Sequence, residues 1–530
     1  MSQDPQAHDI EVATVQLSPV TQGPPDAKTR RYDRQLRLWA ASGQNALEAA
    51  RVLVLSGSAT STSILKNLVL PGIGHFTILD ASKVTPEDAG NNFFLEGQAS
   101  VGKSRAKEAV RLLLELNDSV EGVADESDLD EILTKRPEYF ATFSIVIAHN
   151  IDPQQLAQLS SILWQNASLP PLVVVRSAGF LAEFYIQFHE HTVVDSHSDT
   201  PPSLRIDKAF PALIEHANSL DFANMDPVDH SHVPYVVILV RALEDWKAAH
   251  SGNIPKTFEE KKQFKHQILD MRRKPDEENF EEAEAQAYRI WSSQGVPSDV
   301  QALFADPGLI GLSKDSPPFF HLLNALKKFV ERPPHVLPLS AALPDMKSDT
   351  RQYVHLQTLY KRRAEEERAE LKRLLDVEVH DSLVAEFVKN AHGIRILRGK
   401  RWGALDEDQA DLQNAFAAAY PPREPATHLA LSALSAHFAK AGAAAPTLEQ
   451  LQAEARAIIG PGFEAPDELD NALGELVRAP TADLPTTAAF LGGVVAQEVI
   501  KVITTQYVPI NGYCVIDLIE SWTGLIANPK

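Results

Sequence analysis

The stretch RVLVLSGSATSTSILKNLVLPGIGHFTILD, residues 51–80, decides how the rest of the chain is read. Val52 to Leu55 is an apolar run of strand length, and a turn of small residues follows it. Ser63 to Leu70 has helical spacing, Pro71-Gly72-Ile73-Gly74 breaks it, and Phe76 to Leu79 is a second apolar run. A strand, a helix and a strand within about thirty residues make a βαβ unit, which joins two parallel strands through a crossover helix. Downstream, Ser104 to Leu116 carries helical spacing, and Phe143 to Ala148 is the kind of apolar run that a parallel sheet buries on both faces. Leu172 to Val175 and the alternating Phe184, Ile186 and Phe188 add two strands, with Gly179 as a turn or bulge between them. This alternation predicts an α/β fold built on a doubly wound, Rossmann-like sheet.

After about residue 200 strand-like runs give way to helical spacing, punctuated by Pro317-Pro318, Pro333-Pro334 and Pro421-Pro422. Within this region Lys361 to Leu375 and Glu278 to Glu284 read as amphipathic helices with solvated faces. The α/β character returns at the end. Thr486 to Thr504 reads as a helix with small residues at close-packing positions, Ala488, Ala489, Gly492, Gly493 and Ala496, and Tyr513 to Leu518 as a strand. Residues 30–200 and 481–530 are therefore expected to form one sheet domain, interrupted by a large, mostly helical insertion over 201–480.

With 530 residues, 44% of them hydrophobic and 23% charged, the chain has ample material for several cores. Fifty basic against 71 acidic residues leave a net charge of −21, which repels phosphate backbones and sets nucleic acid aside as a partner. No apolar run approaches the ~20 residues of a membrane span, so no membrane partner is expected. Residues 1–29, polar and lacking the basic and apolar segments of a signal peptide, are expected to be a disordered leader, consistent with a cytoplasmic or nuclear protein. The one cysteine, Cys514, falls in the last strand as a buried small hydrophobe, and neither a disulfide framework nor a cysteine-based zinc site can be built from it.

In a working nucleotide-binding βαβ unit, glycines after the first strand let phosphates reach backbone N–H groups. Here the turn reads Ser56-Gly57-Ser58-Ala59-Thr60-Ser61, with serines at the positions where glycine is wanted and the one glycine where any residue serves. Asp80 ends the second strand, where an acid would meet a ribose. The turn therefore predicts a fold kept for packing and no cofactor-binding residues. His189, His191 and His197 with Asp195, and the pair His230 and His232, have no third ligand fixed by spacing, so no metal site is expected either.

The residues flanking this unit carry a resemblance. Arg31-Tyr32-Asp33-Arg34-Gln35-Leu36-Arg37-Leu38-Trp39 precedes the first strand; Leu70-Pro71-Gly72-Ile73-Gly74, Asp80 and Asp88-Ala89-Gly90-Asn91-Asn92-Phe93-Phe94-Leu95 follow; Ala496-Gln497-Glu498-Val499-Ile500-Lys501 closes the pattern. Together they resemble the activating-enzyme family of ubiquitin-like modifiers, related to bacterial enzymes that adenylate sulfur carriers. The length of the insertion points to the Nedd/Rub branch rather than to the SUMO type, whose cysteine-free halves are shorter. The resemblance implies two similar adenylation folds in a heterodimer, of which one retains the chemistry.

This chain departs from the competent pattern at several places. Asn91 and Asn92 lead into Phe93 where an arginine belongs, Arg105 stands near the usual lysine, and His149-Asn150-Ile151-Asp152 replaces an Asp-Asn pair. The insertion contains no cysteine on which a thiolester could form. The resemblance thus implies a noncatalytic regulatory half whose catalytic partner binds ATP and magnesium and carries the Nedd/Rub modifier, with a conjugating enzyme meeting the complex. It also implies one catalytic contribution: Arg34, reaching across the dimer to the partner's ATP phosphates, against the alternative that Arg34 pairs with an acid of its own domain. Arg31 and Arg37 are not expected to reach, and Tyr32, Leu36 and Trp39 are expected to pack. Other readings are an autonomous nucleotide-dependent enzyme, with which Ser56, Ser58 and Ser61 conflict, and a scaffold in which Arg34 has no catalytic part.

Overall fold

The computed structural model describes residues 26–197, 203–292 and 295–528, which divide between two compact units. One comprises the described parts of Thr21–His191 and Ile396–Lys530, the other those of Thr192–Arg395. The leader expected over 1–29 lies outside the described residues as far as residue 25; the chain is helical from Ala27, with Asp26 capping the short helix Ala27–Arg31.

In the first unit, α1 (Asp33–Ala49) is broken at Trp39 and Ala40. It leads into the βαβ unit: β1 (Arg51–Leu55), α2 (Ala59–Val69) and β2 (His75–Leu79). Gly72 ends the crossover helix at φ +87, and a Cβ there would stand 2.5 Å from the Tyr32 hydroxyl. That hydroxyl is buried and accepts from Asn117 Nδ2 at 2.9 Å. The two sequence signatures around Tyr32 and Gly72 are thus the two sides of one contact. Beyond them come α3 (Arg105–Leu114), β3 (Glu121–Asp125), β4 (Ile145–His149), α4 (Pro153–Gln165), β5 (Leu172–Ala178) and β6 (Leu181–Gln187). Gly179, at φ +61, makes the turn between the last two.

The second unit has an apolar helical core around α5 (Tyr235–Ala249), which gathers Phe264, Phe280, Leu356 and Tyr360. α6 (Pro318–Val330) and α7 (Thr350–Lys372) follow. The face of α7 expected to be solvated is not uniformly so: Glu367 is 1% exposed and clamps the buried Arg205 through two bonds of 2.7 and 3.1 Å.

The sheet unit resumes at Ile396, not at 481, so the insertion is shorter than expected. α8 (Arg423–Ala441), α9 (Leu448–Ile459) and α10 (Asp467–Arg478) form an apolar cluster with Ala178 and Leu181 of the sheet. α11 (Pro485–Thr504), β7 (Gly512–Asp517) and β8 (Trp522–Ala527) complete the unit. The eight strands run in the order β8-β7-β6-β5-β4-β1-β2-β3. β3, β2, β1, β4 and β5 pair in parallel, and β6, β7 and β8 extend the sheet antiparallel.

α11 lies directly on α2. A Cβ on Gly492 would fall 2.3 Å from Ser63 Oγ, so glycine is required for the approach, whereas Gly493 faces open space. By length and composition α11 is apolar enough to cross a membrane, which corrects the expectation from the sequence. Half of it is buried within this unit, and Leu491, Val495, Ala496 and Val499 belong to the sheet's core.

α8 is fastened to the sheet by buried charge. Glu183, fully buried, accepts from Arg176 Nε at 2.8 Å and bonds His428 Nδ1 at 2.8 Å. His428 Nε2 meets Asp406 at 2.9 Å. Burial alone would discharge this imidazole, but the carboxylates of Glu183 and Asp406 outweigh it and push its pKa up to about 9. A raised pKa contributes stability that is complete below the ordinary value of ~6.5 and is lost as pH rises through the folded value. The melting temperature is therefore expected to fall between about pH 6.5 and 9. His428→Gln should flatten that dependence and cost about 3–5 kcal/mol near neutrality, measured by denaturant titration across the same pH range.

Candidate functional site

In an open α/β sheet, ligands bind beyond the carboxyl ends of the strands where the strand order reverses. Here that point lies between β1 and β4, and the residues leaving these strands are Ser56 to Ser58 and His149 with Asn150. Ser56 holds φ +85, the backbone shape of the missing glycine carried by a serine. Side chains of the protein occupy the crevice. His149, 1% exposed, bonds Ser58 Oγ at 2.7 Å through Nδ1 and Ser177 Oγ at 2.9 Å through Nε2. Burial keeps its pKa below the ordinary histidine value.

Three backbone donors of this turn are taken by side chains of the protein in the same way. Gly57 N–H donates to Asp80 Oδ2 at 2.7 Å, Thr60 N–H to Asp483 Oδ2 at 3.1 Å, and Ser61 N–H to Ser58 Oγ at 3.2 Å. Thr60 Oγ1 adds a 2.6 Å bond to Asp483 Oδ1. Asn92 braces the turn from beneath, donating to Gly57 O at 3.1 Å and accepting from Thr62 Oγ1 at 2.9 Å.

Asp80, placed by the sequence where a ribose would bind, instead pairs with Arg105, whose Nε lies 2.6 Å away while its other nitrogens reach Asp88 at 3.1 Å and Ser56 at 3.4 Å. Burial alone would raise the Asp80 pKa, but the Arg105 guanidinium and the N–H groups of Gly57 and Ser82 hold it below the ordinary carboxylate range. Asp152 is the N-cap of α4, accepting from Gln154 N and Gln155 N. Both departures from the competent pattern thus have structural work within the sheet unit.

The three arginines of the N-terminal signature differ. Arg31 donates to Asn117 at 2.7 Å and Asp118 at 2.6 Å, and Arg37 pairs with Asp33 at 3.0 Å. Arg34 lies on α1, exposed, and among the described residues it forms no hydrogen bond or ion pair. Tyr32 is buried, and Leu36 and Trp39 are half-buried.

The histidines are dispersed. His189 stacks on Trp164, His197 lies 3.7 Å from Asp195, and buried His230 pairs with Glu277 at 2.8 Å. Burial pushes the His191 pKa down to about 4. His232 donates to the Val228 carbonyl. Among the described residues no three histidine, cysteine or acidic side chains are grouped to hold a metal. Cys514 is buried in β7, and burial pushes its thiol pKa up to about 11.

Sequence reasoning found Gly57, Asp80 and Arg105 but not Asp483, which reaches Thr60 from 423 positions away. Its only local sign is a place shortly before the helix-starting Pro485, which any capping acid shares.

The strand order and the βαβ turn define a doubly wound, Rossmann-like α/β protein, and residues 32–522 match the ThiF family. Over 91% of its length the chain is 36% identical to the "NEDD8-activating enzyme E1 regulatory subunit" of Gallus gallus, covering 95% of that protein. It is 35% identical to the protein of the same name in Xenopus laevis, over 91% of this chain and 96% of that one. It is 33% identical to the "NEDD8-activating enzyme E1 regulatory subunit AXR1" of Arabidopsis thaliana, over 94% and 96%. The chain belongs to the ThiF family and, within it, to the family of NEDD8-activating enzyme E1 regulatory subunits.

Two stability measurements probe the filled crevice. Arg105→Met, which strands a buried carboxylate, should cost about 3–5 kcal/mol near neutrality. A depressed carboxyl pKa contributes stability above its unfolded value, so the difference from the native chain should shrink as pH falls below about 4. Ser56→Gly relieves the left-handed serine and should stabilise the chain by about 1 kcal/mol in urea titrations, since Ser56 gives up only a long bond to Arg105.

Proposed function

We propose that this chain is the noncatalytic half of a heterodimeric activating enzyme for NEDD8, which pairs with a catalytic subunit of related fold and lends it Arg34. The observation that carries this reading is the contrast among three neighbouring arginines: Arg31 and Arg37 are tied to acids of their own chain, and Arg34 is exposed with no such partner among the described residues. The alternative, in which Arg34 serves a local ion pair, finds no acid to supply it there.

ATP and magnesium belong to the partner in this reading, which the engagement of three donors of this chain's own turn by Asp80, Asp483 and Ser58 supports. In adenylation the modifier's terminal carboxylate attacks the α-phosphorus, the acyl-adenylate bond forms and pyrophosphate leaves. Negative charge is concentrated on the phosphoryl oxygens as this happens. A guanidinium is planar, permanently charged and able to bind two oxygens at once, so Arg34 placed across the dimer stabilises that charge without proton transfer. The later thiolester forms on a cysteine of the partner, since Cys514 is buried and the insertion has none. Conjugating enzyme reaches the modifier on the assembled pair.

The test is adenylate and thiolester formation with NEDD8 by this chain, by the catalytic subunit and by their mixture. Activity is expected from the mixture, and full activity from this chain alone would overturn the reading. In the mixture, Arg34→Ala should slow adenylation by roughly 10²- to 10³-fold while the heterodimer still co-elutes in gel filtration. An unchanged rate would leave the chain a scaffold.

A further inference from the structure

We propose that Asp483 is a built-in anion, a carboxylate standing where a nucleotide phosphate would stand and making the bonds a phosphate would make. The N-terminus of a helix that follows the first strand of a βαβ unit attracts anions through its free N–H groups and its dipole. Here that helix is α2, eleven residues long, and its second N–H, from Thr60, points at Asp483 Oδ2. The Thr60 hydroxyl donates to the other carboxylate oxygen, so the group is held through both oxygens. The capping residue Ser58 and the strand-end Asp80 accept from Ser61 and Gly57, and the Asp80 carboxylate is paired with Arg105, so Asp483 is the carboxylate that faces the N-terminus of α2 itself.

The position of Asp483 in the chain gives this contact a second effect. It immediately precedes the segment that starts α11, and its neighbours hold the turn between β5 and β6. Gly179 N–H donates to Ala482 O at 2.9 Å, and Thr487 Oγ1 donates to Gly179 O at 2.7 Å. The chain from 482 to 487 is therefore fastened on one side to the phosphate position and on the other to the antiparallel half of the sheet. Asp483 acts as a positioning residue: order that a bound nucleotide would lend to this crevice is supplied permanently, and the turn is unavailable to ATP meant for the partner. The inference rests on contacts within the sheet unit and stands apart from the role given to Arg34.

Thermal denaturation of the full chain in inorganic phosphate, against chloride at equal ionic strength, tests it. The native chain, melted in both salts, measures the general stabilising effect of phosphate on proteins. Asp483→Ala is expected to melt several degrees lower in chloride and to recover part of the loss in phosphate, saturably and by more than the native chain gains. Asp483→Ser, which leaves similar room, provides the same readout if the alanine variant does not fold. A variant that melts like the native chain, or that loses equally in both salts, would overturn the proposal. So would a saturable phosphate effect on the native chain itself, because the position would then be open.

Discussion

The approach of α11 to α2 at Gly492 is the constraint on which the sheet unit depends. It brings the last part of the chain against the first βαβ unit, and a side chain at residue 492 would collide with Ser63. With α11 come the Asp483 segment at one end and, at the other, β7 and β8, which extend the sheet by two antiparallel strands. A chain interrupted by about two hundred residues can close one sheet only if its two parts recognise each other over a specific surface. Here that surface is apolar, with Ile64, Leu65, Leu68, Leu491, Val495 and Val499 in one core.

Much of this was legible in the sequence. Runs such as Val52 to Leu55 announce strands buried on both faces, and the small residues at Gly492 and Ala496 announce close helix packing. β3 escaped because Glu121 to Asp125 alternates small, polar and charged residues at an exposed edge and offers no apolar run. The helices of 423–478 were assigned to the insertion because helical spacing records that a face is buried without recording what buries it. In the structure they cover Ala178 and Leu181. The same limit applies to charge: Glu367 sits in a stretch of lysines, arginines and glutamates, and nothing local separates it from its exposed neighbours, although it is the buried partner of Arg205.

At the crevice, what could be read was which positions depart from the nucleotide-binding pattern. What could not be read was the use made of the residues that replaced them. Asp80 keeps the position of a ribose ligand while serving Arg105, Asp152 caps a helix, and Ser56 retains a glycine's backbone angle. The backbone has the left-handed angle at Ser56, and side chains of the protein point into the crevice around it. Hydrogen-bond donors that are shielded from water need partners, and in this crevice side chains of the chain itself supply several of them. Asp483 and His149 complete it from opposite ends of the unit.

The burial of Cys514 has a practical side. Thiol reagents react through the thiolate, and burial, which pushes the Cys514 pKa up to about 11, leaves little of it at neutral pH. Cys514, the one cysteine of the chain, is therefore expected to react slowly with thiol-directed reagents while the sheet stays folded.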